Sequence, residues 1–244
     1  MDKKQEIMLS RIADACENNF DQRFFGFFDE AMQFQALKIL RSYRVPYVFW
    51  GGFRDAGRKM LCVYPEYLSE DEIEWPMSAV RFPIDFSLTH RNVLGEIMAY
   101  GITRECVGDI NVTSEEVQII FQSKMQPYFE QNLHKIKNHS VKPVYYDHDG
   151  IKAYDLELKR ISIVAASART DCVIGKIWGL SRNDAVTCIH QKRLRVNYEE
   201  VTKPDHRLKS GDIIALRGKG KAQIVATEGL TKKGNLRIEV DKYV

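Results

Sequence analysis

Eight residues suited to meeting an anionic polymer fall within 28 positions near the C-terminal end: Arg182, Asn183, Lys192, Arg193, Arg195, Lys203, Arg207 and Lys209. Guanidinium and ammonium groups pair with phosphate, and an amide donates to base edges or backbone. A face built from them attracts nucleic acid by releasing condensed counterions, whatever the base sequence. The net charge of +3 conceals how unevenly the cations lie. Residues 169–244 hold 16 Lys/Arg against 9 Asp/Glu, and residues 1–168 hold 20 against 24. The attracting potential is therefore concentrated at one end. An ordinary solvated surface also carries Lys/Arg runs, so spacing has to decide.

The elements that position these residues are legible. From Arg169 to Leu180, apolar residues recur at Val173, Ile174, Ile177 and Trp178, the spacing of a helix with one buried stripe. Gly179 can end that helix. Ser181 suits the next N-cap, with Asp184 three residues on as a relaxed capping box. The second helix buries Ala185, Val186 and Ile189 and ends in Gln191-Lys192-Arg193, where cations favour the negative helix end. Leu194 and Val196 alternate with Arg195 as a strand, and Gly211-Asp212 turns into the strand Ile213–Leu216.

This layout resembles the S-four RNA-binding domain, a module shared by ribosomal proteins, pseudouridine synthases, tyrosyl-tRNA synthetases and heat-shock RNA binders. The resemblance rests on Arg169-x-Asp171, Leu180-Ser181-Arg182, Arg195-Val196-Asn197, Lys203-Pro204 and Lys209-x-Gly211-Asp212-x-Ile214. The chain departs from the pattern at Thr170 (often Leu), at Lys192-Arg193 (often Gly) and at Asn197-Tyr198 (usually Asn-Gly). On this reading Arg169, Arg182, Lys192, Arg193, Arg195, Lys203 and Lys209 contact phosphates. Ser181, Asn183 and Asn197 add hydrogen bonds or position the backbone, and His206 is a further candidate.

Upstream, residues 3–20 read as a helix, followed by the aromatic run Phe24–Phe28, a core segment or a stacking platform. A helix spans 29–43, and strands run over Tyr47–Trp50 and Lys59–Tyr64. The loop between those strands, Gly51-Gly52-Phe53-Arg54-Asp55-Ala56-Gly57-Arg58, is a hairpin loop or a phosphate cradle. Residues 77–147 give strand, helix, strand, strand, helix, strand, with helices over 89–100 and 124–136. That order belongs to the split βαβ or ferredoxin-like plait, but the aromatic signature of RNA-recognition motifs is absent from its third strand.

The expected organisation is α+β in three small domains: a mixed α/β domain at 1–75, the plait at 76–150, a linker at 151–168 that could hold a strand, and the S-four-type domain at 169–244. His90, Arg104, Cys106 and Asp109 can be imagined as a catalytic set, yet their spacing supports no base–nucleophile pair. Asp147-His148-Asp149 is adjacent in sequence and reads as a turn rather than a metal site. Five cysteines lie singly, without a C-x-x-C, as expected in a reducing cytoplasm. The N-terminus lacks the apolar core of a signal peptide, and no run approaches a membrane span.

A second resemblance has its motifs in the upstream half and matches the layout over essentially the full chain. Phe27-Phe28-Asp29-x-x-x-Gln33, Gly51-Gly52-Phe53-x-x-Ala56-x-Arg58-Lys59, His90-Arg91-x-x-Leu94-Gly95 and Gly101-Ile102-x-Arg104-Glu105-x-x-Gly108-Asp109-Ile110 resemble the bacterial YlmH family. That resemblance implies a non-enzymatic RNA-binding protein without cofactor or metal. It further implies a link to rRNA and tRNA on the large ribosomal subunit, and to rescue of stalled nascent chains. A cytoplasmic monomer is expected. An RNA-modifying enzyme tethered by its S-four domain and a cell-division adaptor are the alternatives.

Overall fold

Phase changes in hydrophobic spacing, from helical to alternating, set the element order. A computed structural model describes residues 3–154, 158–231 and 234–243. The chain falls into two units, Met1–Asp155 and Leu156–Val244, with helices and antiparallel sheets segregated in an α+β architecture.

The first unit opens with α1 (Lys3–Glu17), β1 (Arg23–Phe28), α2 (Glu30–Leu40), β2 (Tyr47–Trp50) and β3 (Lys59–Val63). α1 buries Leu9, Ile12, Ala15 and Cys16 along one stripe. Asp29 caps α2 by accepting from the Met32 N–H at 2.8 Å. The three strands pair antiparallel in the order β1-β3-β2. Phe25 and Phe28 enter the core shared with α1 and α2, while Phe27 enters a second core. These rings are packing residues, each contributing about 1.5–3 kcal/mol by burial.

The same unit continues with β4 (Met77–Pro83), α3 (His90–Ala99), β5 (Val107–Val112), β6 (Glu116–Gln122), α4 (Gln126–Asn132), β7 (Lys135–Ile136), β8 (His139–Ser140) and β9 (Val144–Tyr146). The four long strands pair antiparallel in the order β5-β6-β4-β9. With α3 between β4 and β5 and α4 between β6 and β9, this is the split βαβ plait. Thr89 and Asn92 cap α3 reciprocally, through bonds of 3.3 and 3.2 Å. The helix expected over 124–136 ends at Asn132. Phe129, Leu133 and Ile136 are all buried and keep helical spacing, but Lys137 sits at φ 54° and turns the chain into the β7–β8 hairpin.

The plait's two faces differ. One packs Val80, Phe82, Val117, Ile119 and Phe121 against helix residues Val93, Ile97 and Phe129. On the other, Met77, Ala79 and Ile120 pack with Phe27, Phe53, Ala56 and Met60. Gln118, fully buried there, exchanges two 3.0 Å bonds with the Lys152 backbone. The centre of that sheet face is therefore closed.

The glycine loop joins β2 to β3 as a hairpin and cradles an anion that the chain itself supplies. The Asp109 carboxylate accepts from the Gly57 and Arg58 N–H groups at 2.6 and 3.0 Å. Arg58 donates to the carbonyls of Val107, Phe27 and Arg104, and Arg104 to those of Val107 and Gly108. Burial first, and then the neighbouring Arg58 charge, lower the Arg104 guanidinium to about 10.

The second unit comprises β10 (Leu158–Ala165), α5 (Thr170–Trp178), α6 (Arg182–His190), β11 (Leu194–Val196), β12 (Glu199–Glu200), β13 (Ile213–Leu216), β14 (Gly220–Leu230) and β15 (Leu236–Tyr243). They form a six-stranded antiparallel sheet, β10-β15-β14-β13-β11-β12. The strand that the 151–168 segment could hold is β10. β10 pairs with β15 over eight residues and buries Ile163 and Ala165. Val173, Ile174 and Ile177 of α5 and Ala185, Cys188 and Ile189 of α6 pack onto Leu194, Val196, Ile214 and Leu216.

Two glycines test the packing of the first unit. A Cβ on Gly51 would stand 2.5 Å from the Ala56 Cβ and closer still to the Arg58 carbonyl, whereas one on Gly95, in α3, meets nothing within 4 Å. Gly51→Ala is expected to destabilise by about 1–3 kcal/mol through overpacking. Gly95→Ala is expected to stabilise by about 0.5–1 kcal/mol through helix propensity. Thermal unfolding of the two variants reads the opposite signs, and shifts of the same sign would contradict the packing.

Candidate nucleic-acid interface

The basic residues of the second unit are ordered around a buried acid. Asp171, on the first turn of α5, is 2% exposed. Its carboxylate accepts two 3.0 Å bonds from Arg169 Nε and Nη2, and Arg182 Nε lies 3.5 Å from Oδ2. One carboxylate thus holds an arginine from the α5 N-cap and one from the first turn of α6. Arg182 keeps 71% of its side chain exposed, leaving its outer edge open to a ligand. Burial alone would raise the Asp171 pKa, but the Arg169 hydrogen bond and charge outweigh it and hold the carboxyl below the ordinary carboxylate value.

A loop completes this group. Arg169 forms an isolated antiparallel bridge with Arg207. Thr170 is fully buried and donates its hydroxyl to the Pro204 carbonyl at 2.9 Å, while its N–H donates to His206 at 2.9 Å. The Asp171 N–H donates to Pro204 at 3.1 Å. The substitution of Thr at position 170 therefore has a structural use, since it ties the 203–206 loop to the α5 N-terminus. Lys203, His206 and Arg207 are exposed on that loop. Ser181 caps α6 as expected: its hydroxyl accepts from the Asp184 N–H at 3.1 Å and donates to Asp184 Oδ2 at 2.7 Å. Asn183 is exposed beside Arg182. Gly179 ends α5 at φ 64°, in the left-handed region.

The other expected site residues form a second group on the sheet. Leu194 and Val196 face the helices, so strand alternation turns exposed Arg195 to the opposite side. Arg195 is paired in register with Glu200, and Lys192 Nζ lies 3.4 Å from Glu200 Oε1. Lys192 stands at φ 57°, which accounts for the glycine common at this place in related patterns. Arg193 is partly committed within the unit, since its Nε and Nη2 donate to the Arg217 carbonyl at 3.3 and 2.8 Å.

Asn197 and Tyr198, at φ 48° and 67°, make the tight turn between β11 and β12, a type I′ geometry. The Asn197 amide donates to Asp212 Oδ1 at 2.8 Å and accepts from the Ile213 N–H at 3.0 Å. Asp212 Oδ2 accepts the Lys209 N–H at 2.7 Å. Asn197 therefore positions the backbone, and Lys209 presents its side chain to solvent. Asp171 and Asp212, the two acids that organise this surface, are absent from a reading based on cations. Each did lie inside a recognised motif.

The polar residues of the first unit are held differently. Cys106 Sγ lies 3.5 Å from the Thr103 hydroxyl. Arg104 and Asp109 are committed to backbone groups, and the lowered pKa of His90 follows from partial burial and then the Arg104 charge. Asp147 accepts from Gly150 N at 3.3 Å in a short turn, and His148 pairs with Asp149 at 3.1 Å. Among the described residues, no group of three or more His, Cys, Asp or Glu side chains could hold a metal, and no helix is long and apolar enough to cross a membrane.

Plait and basic surface belong to an α+β protein, and comparison with known proteins shows what the chain is similar to. Residues 69–148 match the family described as "Putative RNA-binding domain in YlmH". The chain is 26% identical over 231 residues to the "Ribosome-associated protein quality control protein P2" of Bacillus subtilis (strain 168), spanning 93% of this chain and 89% of that one. The solved "Cell division protein ylmH" from Streptococcus pneumoniae shares the fold at a TM-score of 0.51 and 16% identity, covering 59% of this chain and 92% of its own. Residues 69–148 thus match the domain named for YlmH, and the chain as a whole is similar to proteins of that kind.

Because the folded pKa of Asp171 lies below its unfolded value, the carboxylate contributes stability above the unfolded pKa, near 4. That contribution is lost as pH falls through the folded value. Asp171→Asn is expected to lower stability at pH 7 by about 1–3 kcal/mol, the size of a hydrogen-bonded charged group. The gap to wild type should close on acidification below pH 4. Thermal unfolding across pH 2.5–7 checks this, and a gap that does not vary with pH would contradict it.

Proposed function

We propose that the protein is a non-enzymatic RNA-binding factor of ribosome-associated quality control. Its C-terminal unit is an S-four-type module that grips structured RNA, rRNA or tRNA, on the large ribosomal subunit. The observation that carries this reading is the Asp171-centred arrangement, which fixes Arg169 and Arg182 beside the exposed Lys203, His206 and Arg207. An acid fully engaged in orienting arginines builds a rigid phosphate-binding edge from charges that would otherwise wander. Arg195, Lys192 and Lys209 extend the cationic surface, and Asn183 adds a donor. The name of the Bacillus subtilis relative, aligned along nearly the whole chain, supports the quality-control role. The match of the plait to an RNA-binding family supports RNA as ligand.

Catalysis is not part of the proposal. Asp109 and Arg104 spend their bonds on backbone groups, and Cys106 lies against the Thr103 hydroxyl. The protein acts as a cytoplasmic monomer, with no cofactor and no membrane partner.

Arg182→Ala combined with Arg195→Ala removes one cation from each group. Affinity for a structured RNA, such as bulk tRNA or a large-subunit rRNA fragment, should fall about 10-fold or more. The slope of log affinity against log salt should flatten by about 1–2 units, because fewer phosphates are neutralised. Fluorescence anisotropy between 50 and 200 mM salt measures both. Unchanged affinity at every salt concentration would overturn the proposal.

A further inference from the structure

Arg81 of the plait is partly buried, yet the fold satisfies it only in part. Arg58 and Arg104 donate three and two hydrogen bonds to backbone carbonyls. Arg81, on β4, has one long bond, 3.4 Å from Nη2 to the Gly150 carbonyl, and its buried Nε has no partner. Buried donors are ordinarily paired, so packing alone does not account for this guanidinium. Its plane is nevertheless fixed, since Arg81 Cζ lies 3.7 Å from the centroid of the Tyr146 ring. Tyr146 is in turn backed by Gly150, where a Cβ would come within 2.7 Å of the tyrosine Cβ.

This pair sits where the otherwise covered sheet face reaches solvent. Strand register places Arg81, Gln118 and Val144 on one face, with Pro83 opposite Glu116 further along. The covering residues reach Met77, Ala79, Ile120 and Gln118. Beyond them opens a cavity of about 600 Å³ lined by Arg81, Pro83, Ser114, Glu116, Val144 and Tyr146, among others. Val144 is 52% exposed, an apolar wall left uncovered. Glu116 is held ionised by Lys152 and then Tyr154, which leaves a fixed acceptor in the cavity. The chamber therefore combines an apolar wall, a flat cation stacked on an aromatic ring, hydroxyl groups and an acceptor, at the size of small-molecule sites.

We propose that this corner of the plait binds a single unpaired nucleotide of an RNA strand, the base against Val144 and the Arg81–Tyr146 stack. Unpaired bases are recognised by stacking on aromatic rings and guanidinium planes while their edges are read by hydrogen bonds. The inference deepens the RNA-binding reading and rests on it. It gives the chain a second RNA contact, distinct in chemistry from the phosphate-gripping C-terminal unit, and displaced from the closed centre of the sheet.

The test uses the full chain and a single-stranded oligoribonucleotide of about eight nucleotides carrying 4-thiouridine. Photocrosslinking with peptide mapping should place the crosslink within Met77–Pro83 or residues 144–152. Arg81→Ala and Val144→Glu should each weaken single-strand binding about 5-fold or more, while binding of structured RNA stays within about 2-fold. Val144 is an exposed edge residue, so Val144→Glu decides the matter if Arg81→Ala fails to fold. Crosslinks confined to other segments, or single-strand affinity unchanged in a folded variant, would overturn the site. Wild-type protein that binds structured RNA but no single strand overturns this site alone, whereas protein that binds neither overturns the RNA-binding reading with it.

Discussion

A carboxylate removed from water has to be paired, because an isolated charge in a low-dielectric interior is costly. Asp171 is almost wholly buried, and the second unit meets that requirement with Arg169 and Arg182. Much else follows. Arg169 and Arg182 come from different elements, so satisfying one acid sets the start of α5 against the start of α6. The α5 N-terminal amides are filled by the 203–206 loop rather than by a ligand. That loop is held in turn by the buried Thr170 hydroxyl. The cations are thus presented at fixed positions by bonds made inside the unit, with their outer edges left to solvent.

The first unit solves a related problem in the opposite sense. Its glycine loop turns two amides toward an anion, and the anion is its own Asp109. Arg58 and Arg104 close the same junction through backbone carbonyls, so β1, the loop and β5 are locked together. The consequence for function is steric. The plait has the strand order of a fold that often reads RNA on its open sheet, yet most of that sheet face is covered by Phe27, Phe53 and Met60. On that face, the Arg81 corner is what remains open.

Local signals carried the helices, caps and strands where local spacing and final burial agree. Ser181, Thr89, Asp29 and Gly179 stand at helix ends as their chemistry dictates. The plait order followed from hydrophobic periodicity alone. Two features could be read this way only in part. β10 is a strand because β15, some seventy residues later, pairs with it. The β7–β8 hairpin depends on Lys137 taking a positive φ, while Phe129, Leu133 and Ile136 keep a spacing that also suits a helix. At the candidate site, residue type located the cations but not their division into two groups. Asn197 and Arg193 are readable as polar and basic, but only the fold shows how far Asp212 and the Arg217 carbonyl engage them.

Under the proposed function, fixed cations of the C-terminal unit hold this protein on large-subunit RNA. Sedimentation with separated ribosomal subunits, followed by mapping of protein–RNA crosslinks, tests it most directly. Co-sedimentation with the large subunit is expected, weakening steadily as salt rises, with crosslinks concentrated in residues 169–209. Association with the small subunit alone, or crosslinks that spare residues 169–209 altogether, would contradict it.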